Sequence, residues 1–211
     1  MKKLALGCAF ALALACAAAA AEPFVLPAPN KSGGAALLDC LNARSSGRDF
    51  SGVPLSEQEL SDLLWAAGGI NRGDGRMTYP TAQDVRDITI YVFTASGAYR
   101  YDAGANALMM TVSGDLRAKT GMQPFAANAS VDLVYVQDRS CWSKTKTPPE
   151  VLVQLGYAHA GAAAQNASLF AASKGWSSVV RGSVDRAELG RILGLNGLQH
   201  VLLAQSIGPR P

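Results

Sequence analysis

The stretch from Glu150 to Lys174 makes the strongest demand on the fold. It contains no proline, and Gly175 follows it, a residue that readily takes the left-handed conformation in which helices end. Its middle, Ala158 to Ala167, reads Ala-His-Ala-Gly-Ala-Ala-Ala-Gln-Asn-Ala, while Leu155, Leu169 and Phe170 keep apolar anchors on either side. Alanine is the best intrinsic helix former, so the segment is expected to be one long helix. Side chains this small let neighbouring backbones come close. The helix is therefore expected at the centre of the molecule, with a second subunit as a further candidate for its outer side. The competing reading is a compositional bias of an alanine-rich chain.

Other elements follow from local pattern. Ala35 to Ala43 is expected to be a helix with Leu37, Leu38 and Leu41 on one side. Ser56-Glu57-Gln58-Glu59 has the form of a capping box, and Leu60, Leu63, Leu64 and Ala67 follow it at helical spacing. Trp65 lies in that helix and is expected to pack; Gly68-Gly69 ends it, and Asn71 to Arg76 is a polar loop. Ile88, Ile90 and Val92 alternate with other residues between Asp87 and Thr94, a strand signal. Ser96-Gly97 turns this strand into Ala98–Tyr101, and Ala103–Asn106 turns that into Ala107–Ser113, a meander. Val131 to Val136 is nearly all apolar, which predicts a strand buried on both faces. Ser140 to Pro149 reads as a long loop, Ser183 as the cap of a helix reaching Leu193, and Val201 to Leu203 as a last strand. Helices and antiparallel strands without a regular βαβ beat give an α+β class.

At the N-terminus, Met1-Lys2-Lys3, an apolar run from Leu4 to Ala18, and Ala19-Ala20-Ala21 have the form of a secretory signal, residues 1–21. The apolar run is short for a bilayer span, so no stable membrane span is expected. An exported, periplasmic chain starting at Glu22 is therefore expected, with a lipoprotein processed at Cys16 as the lesser alternative. The absence of a twin arginine implies export in the unfolded state. Residues 22–34, rich in Pro and Gly, read as an arm, and 35–211 as one domain. Loss of Lys2 and Lys3 brings the formal charge from +3 to +1, and no basic block remains to suit a nucleic acid. Cys40 and Cys141 are open to pairing in an oxidising compartment, with Cys40 also readable as core and Cys141 as exposed. His159 and His200 are too few for an evident metal site, and His159, flanked by alanines, reads as a satisfied helix histidine.

The chemistry-bearing segment is Ala43-Arg44-Ser45-Ser46-Gly47-Arg48-Asp49-Phe50. Two guanidiniums at this spacing can converge on one dianion, and the two hydroxyls can donate to its remaining oxygens; arginine's planar fork suits phosphate better than lysine's point charge. The alternative is a solvated helix end with ordinary turn chemistry. The octet and the segments C-terminal to it resemble the FMN-dependent nitroreductase family, in particular the branch related to SagB-type thiazole-forming dehydrogenases. Arg44 to Phe50 matches the family's Arg-x-Ser-x-Arg-x-Phe opening, and Leu60 to Gly69 resembles the helix after it. Arg76-Met77-Thr78-Tyr79-Pro80-Thr81-Ala82 looks like the Arg-Thr-x-Pro-Ser-Ala turn, Gly97 to Asp102 like the branch's hairpin, and Gln165-Asn166 like the pair on the long helix. No single one of these motifs is specific; their order and spacing are.

The resemblance implies a mixed, mainly antiparallel sheet surrounded by helices, in an intertwined homodimer with FMN in the groove between subunits. It implies that Arg44, Ser45, Ser46 and Arg48 hold the phosphate and ribityl end, and that Thr81, Ala82 and Asp84 line the isoalloxazine ring. Arg86 stands where many members carry glutamine. Val180 and Arg181 fall where backbone passes near the flavin N5 edge, and Gln123 is a contributor from the partner subunit. Asp84 replaces the asparagine of many relatives, so it needs a cation such as Arg76 or Arg86 beside it; the blander reading is a turn cap. The activity implied is two-electron transfer through FMN from a small donor, NAD(P)H in the family, to a small organic acceptor such as a nitroaromatic or quinone. Two alternatives stand beside it: a non-enzymatic flavin-binding protein of the same fold, and a SagB-like azoline dehydrogenase, for which no lysine–tyrosine pair is placed.

Overall fold

Val131–Asp138 forms an interior strand, and its position explains its composition. The structure, a computed structural model, describes residues 22–211; the expected export signal lies outside the described residues. Chain order runs β1 (Phe24–Val25), α1 (Leu37–Ala43), α2 (Glu57–Gly68), β2 (Ile88–Phe93), β3 (Gly97–Asp102), β4 (Ala107–Ser113), β5 (Val131–Asp138), α3 (Pro149–Ser173), β6 (Ser177–Arg181), α4 (Arg186–Ile192) and β7 (Gln199–Gly208). The seven strands form one sheet in the order β1-β4-β3-β2-β5-β7-β6. Along β5, Leu133 and Tyr135 face the layer of α2 and α3, while Val134 and Val136 face α4. A strand packed on both faces has no solvent side to mark with polar residues, hence the unbroken apolar run.

Every hydrogen-bonded strand pair is antiparallel. This corrects the expectation of a mixed sheet. Strands β5 and β6, joined through α3, do run in the same direction, but β7 pairs with both and separates them. The final strand is also longer than the apolar triplet Val201–Leu203 suggests. Its polar residues Gln205 and Ser206 are fully buried because they serve hydrogen-bond networks beneath the sheet.

Helix α2 starts with the expected capping box: the Ser56 hydroxyl accepts from the Glu59 N–H at 3.3 Å, and Glu59 accepts from the Ser56 N–H at 2.8 Å. It buries Leu63 and Leu64 completely against the sheet, each contributing roughly 1.5–3 kcal/mol. Helix α3 applies Ala160, Ala163, Ala164, Ala167 and Ala171 to the same core, so the small-residue stripe is a close contact with this chain's own sheet and helices. Gly156 makes the closest approach: a Cβ there would lie 2.5 Å from Cδ of Gln137. Helix α4 is capped by Asp185, which accepts from the Glu188 N–H at 2.9 Å, and not by the expected Ser183. Cys40 is buried and Cys141 exposed, both as free thiols, so the two do not pair.

Residues 22–34 lie along the outer sheet edge and α2. Phe24 and Val25 pair with β4, the Asn30 N–H donates to Asp62, and Ser61 donates to the Pro27 carbonyl. The short helix α1 buries only Cys40. Leu37 and Leu38 are 64% and 77% exposed, and Leu41 shares that open side. Among the described residues no helix is long and apolar enough to cross a membrane.

Candidate functional site

The chain leaves α1 at Arg44 in extended conformation and runs beside the edge strand β6. The Gly47 N–H donates to the Ser178 carbonyl at 3.0 Å, and the Ser51 N–H to the Pro209 carbonyl at 2.9 Å. Gly47 has no room for a side chain, since a Cβ would sit 2.6 Å from the Ser177 hydroxyl. This tether holds Arg44, Ser45, Ser46 and Arg48 on the surface. The Arg48 guanidinium lies 5.9 Å from the ring centre of Phe125, whose ring is also 6.2 Å from that of Phe50, and Nη1 of Arg48 donates to the Ser46 carbonyl at 3.4 Å. No carboxylate among the described residues forms an ion pair with Arg44 or Arg48. Two unneutralised guanidiniums with hydroxyls between them make a surface suited to an anion.

Beneath this segment, β6 carries Val180 outward and Arg181 inward. The Arg181 guanidinium, 4% exposed, donates to the Thr120 carbonyl (2.8 Å), the Thr120 hydroxyl (3.0 Å), Asp132 Oδ1 (2.9 Å) and the Ser206 hydroxyl (3.0 Å). Ser206 itself donates to Asp132. The Arg181 side chain is thus committed to the interior, and its charge is answered by Asp132. What β6 offers the surface there is backbone and Val180. Burial pushes the Asp132 carboxyl up to about 7, against the Ser206 hydroxyl and the Arg181 charge, and burial also lowers Arg181. Gln123 is turned the same way: its Oε1 is buried with no partner, beside Gly121 and Arg181. Arg181 Nε and Asp132 Oδ2 are likewise buried and unpaired, so this cluster holds three unsatisfied polar atoms.

The second group of residues forms a strained turn. Ala82–Asp84 is a single 3-10 turn in which Gln83 (φ 54°) and Asp84 (φ 55°) are both left-handed. Neither is glycine, and each such residue costs roughly 1–2 kcal/mol. Polar contacts hold the turn from several sides. The Gln83 amide donates to the Thr147 hydroxyl at 3.1 Å, Asp84 pairs with Arg76 at 3.4 Å, and Arg76 also meets Asp74 at 3.3 Å. Arg86 Nη2 donates to the Asp74 carbonyl at 3.3 Å, leaving most of that guanidinium exposed. Thr81 and Ala82 are half-buried. Asn166 of α3 donates to the Thr78 carbonyl at 3.2 Å, while Gln165 beside it is exposed.

Behind this turn sits a buried network without a distinctive sequence signal. His159 of α3 donates from Nδ1 to Asp87 at 2.7 Å and accepts at Nε2 from the Ala82 N–H at 2.8 Å. Asp87 also accepts from Trp142 Nε1 (2.9 Å) and Gln137 Nε2 (2.8 Å). Burial alone would push the Asp87 carboxyl up; the donors His159, Gln137 and Trp142 outweigh it and hold the group below its ordinary value. The expected long loop after β5 therefore contains a 3-10 turn, Arg139–Trp142, that delivers a buried tryptophan to this network. Among the described residues no group of three His, Cys, Asp or Glu could hold a metal ion.

Among the described residues no hydrogen bond or ion pair links the Arg44–Arg48 segment to the Thr81–Arg86 turn. The two roomier clefts, of about 320 and 360 Å³, are lined by other residues, around Leu55 and Tyr99 in one case and Asn30 and Trp65 in the other. Neither of these clefts is lined by residues of either segment.

Compared with known proteins, residues 41–209 match the nitroreductase family. Among solved structures, a candidate nitroreductase from Ralstonia eutropha JMP134 is 37% identical, with 90% of each chain covered and a TM-score of 0.84. An NADPH:FMN oxidoreductase from Vibrio harveyi, solved with NAD+, is 19% identical over 82% of this chain and 68% of that one, with a TM-score of 0.61. A chain of the Escherichia coli microcin synthetase McbBCD complex is 18% identical over 89% and 78%, with a TM-score of 0.69. The last two likenesses speak for the fold alone. None of the curated proteins matches the sequence.

Proposed function

The chain belongs to the nitroreductase family, and from that premise we propose that it is an FMN-dependent oxidoreductase passing two electrons to a small organic acceptor. The observation that carries the reading is the pair of unneutralised guanidiniums, Arg44 and Arg48, flanking the exposed hydroxyls of Ser45 and Ser46. This donor set fits the phosphate end of FMN. Each charge-assisted hydrogen bond to that dianion contributes about 1.5–3 kcal/mol.

The turn residues Thr81, Ala82 and Asp84 fit the ring end. Asp84 is paired with Arg76, a cation it shares with Asp74, so its charge is partly offset and its carboxylate can accept from a ring N–H. Arg86, held at one edge by Asp74, keeps donors free to stabilise negative charge on a reduced ring. The outer backbone of Val180–Arg181 supplies edge-strand groups, β6 having a neighbour on one side only. Bound FMN supplies the electron transfer itself, and the protein's part is position and electrostatics. No side-chain acid or nucleophile is required of the chain.

A homodimer in which each copy completes the other's site belongs to this reading. The exposed leucines of α1 and the outer residues Tyr157 and Ala158 of α3 offer a face for that contact. We take the mature chain, from Glu22, to be exported and to acquire FMN after folding. Reduced nicotinamide is the first donor to test, and a donor native to the outer compartment the second.

The test is anaerobic. FMN-loaded protein is reduced with NADPH or, failing that, dithionite, and then mixed with a nitroaromatic or a quinone. Saturable reoxidation faster than that of free reduced FMN is expected. Reoxidation no faster than free flavin would mean a flavin-binding protein without turnover, and the enzyme reading would fall.

A further inference from the structure

We propose that His159 is a positioning residue for the flavin's ring end, acting through its hydrogen bond to the Ala82 N–H. The proposal rests on the FMN reading above and assigns the turn's shape to a residue that touches neither flavin nor substrate. Several observations converge on it. The Nδ1–H tautomer alone satisfies both ring contacts, since Nδ1 must donate to the Asp87 carboxylate while Nε2 accepts from Ala82. That tautomer is set from behind: Asp87 is held by Trp142 and Gln137, and the Trp142 ring stacks on the imidazole at 6.2 Å between centres and 10° between planes. Gln137 is anchored in turn to the Leu152 carbonyl of α3 at 2.7 Å. The network is buried at every point except its last link, which is part-buried. That link is the Ala82 N–H, which immediately precedes the two left-handed residues Gln83 and Asp84.

A turn with two consecutive left-handed, non-glycine residues persists only when its surroundings over-determine it. On the outer side the contacts are exposed: Gln83 to Thr147, and Asp84 to Arg76. Exposed pairs of this kind fix little. The His159 bond is the more sheltered restraint, since its acceptor is a buried imidazole, and it holds the backbone that presents Thr81, Ala82 and Asp84. Losing it frees the turn to relax toward ordinary conformations, and the flavin must then restore the strained shape on binding, at the cost of affinity.

The experiment compares FMN with riboflavin, which lacks the phosphate, on the full mature chain. His159→Phe keeps the ring volume and removes both hydrogen bonds; His159→Gln keeps one acceptor and one donor. The expected result is that His159→Phe weakens FMN and riboflavin by the same factor, roughly tenfold for one positioning bond. His159→Gln recovers most of that loss. In the wild-type chain, added FMN is expected to shift the Ala82 amide and His159 ring-nitrogen resonances, a readout that needs no variant. Three results would overturn the proposal: a folded His159→Phe protein that binds both flavins normally, a His159→Gln protein as impaired as His159→Phe, or wild-type resonances unmoved by bound FMN. Failure of the wild-type chain to bind either flavin would instead overturn the FMN reading on which the proposal rests.

Discussion

Replacing Arg181 with methionine removes a buried cation that makes four hydrogen bonds, one of them its ion pair with Asp132. The side chain of Asp132 is fully buried and would be left with the Ser206 hydroxyl as its main donor. Breaking a buried pair by deleting one partner costs about 3–5 kcal/mol, against a total stability of about 5–15 kcal/mol for a domain. The loss has a ceiling, because Asp132 can escape by taking a proton. Its carboxyl already titrates near 7 beside Arg181, and without the guanidinium it moves higher. The full cost is therefore expected at pH 8, where holding the proton is itself unfavourable, and a smaller one at pH 5, where only the lost hydrogen bonds count. Urea denaturation of the mature chain at the two pH values reads this directly as a shift in midpoint at constant slope. A double variant, Arg181→Met with Asp132→Leu, should recover much of the loss, as replacing both charges with apolar groups does elsewhere. An Arg181→Met protein within about 0.5 kcal/mol of wild type, the spread of ordinary surface substitutions, would refute the buried-pair account. Equal losses at both pH values would refute the proton-escape argument.

The double variant Arg44→Ala, Arg48→Ala is expected to fold normally and to lose FMN while keeping whatever affinity it has for riboflavin; unchanged FMN content after desalting would sink the phosphate assignment. Asp132 keeps its proton in the folded chain up to about pH 7 but loses it near 3.8 when unfolded. Between those values the native state binds more protons, so this group makes stability fall as pH rises, and Asp132→Asn should flatten the urea-midpoint profile across that window. Gly156→Ala would place a methyl 2.5 Å from the Gln137 amide carbon, at a cost of about 1–3 kcal/mol from overpacking, read as a lower melting temperature.

The regular elements are legible in the sequence where one local rule decides them. The Ser56–Glu59 box, the alternation in β2 and the double-sided run of β5 each encode their surroundings in a few adjacent residues. Strand β6 and most of β7 are not legible, because Ser177, Ser178, Gln205 and Ser206 are polar yet buried, and what makes them tolerable is a hydrogen-bond partner far along the chain. The surface octet is readable because its chemistry is contiguous. The place of the Arg181 side chain is hidden for the complementary reason: the carboxylate that holds it, Asp132, lies on β5, far along the chain. The alanines around His159 rightly mark it as satisfied, but satisfaction is only half of its role. The turn it restrains lies 77 residues away in sequence, a distance no local pattern spans.

The most direct test of the account is the absorption spectrum of the mature chain, purified, incubated with FMN and desalted. Flavin bands corresponding to about one FMN per chain are expected, in protein that elutes as a dimer. A colourless protein that also fails to quench FMN fluorescence would contradict it, and would leave the Arg44–Arg48 segment as a solvated helix end.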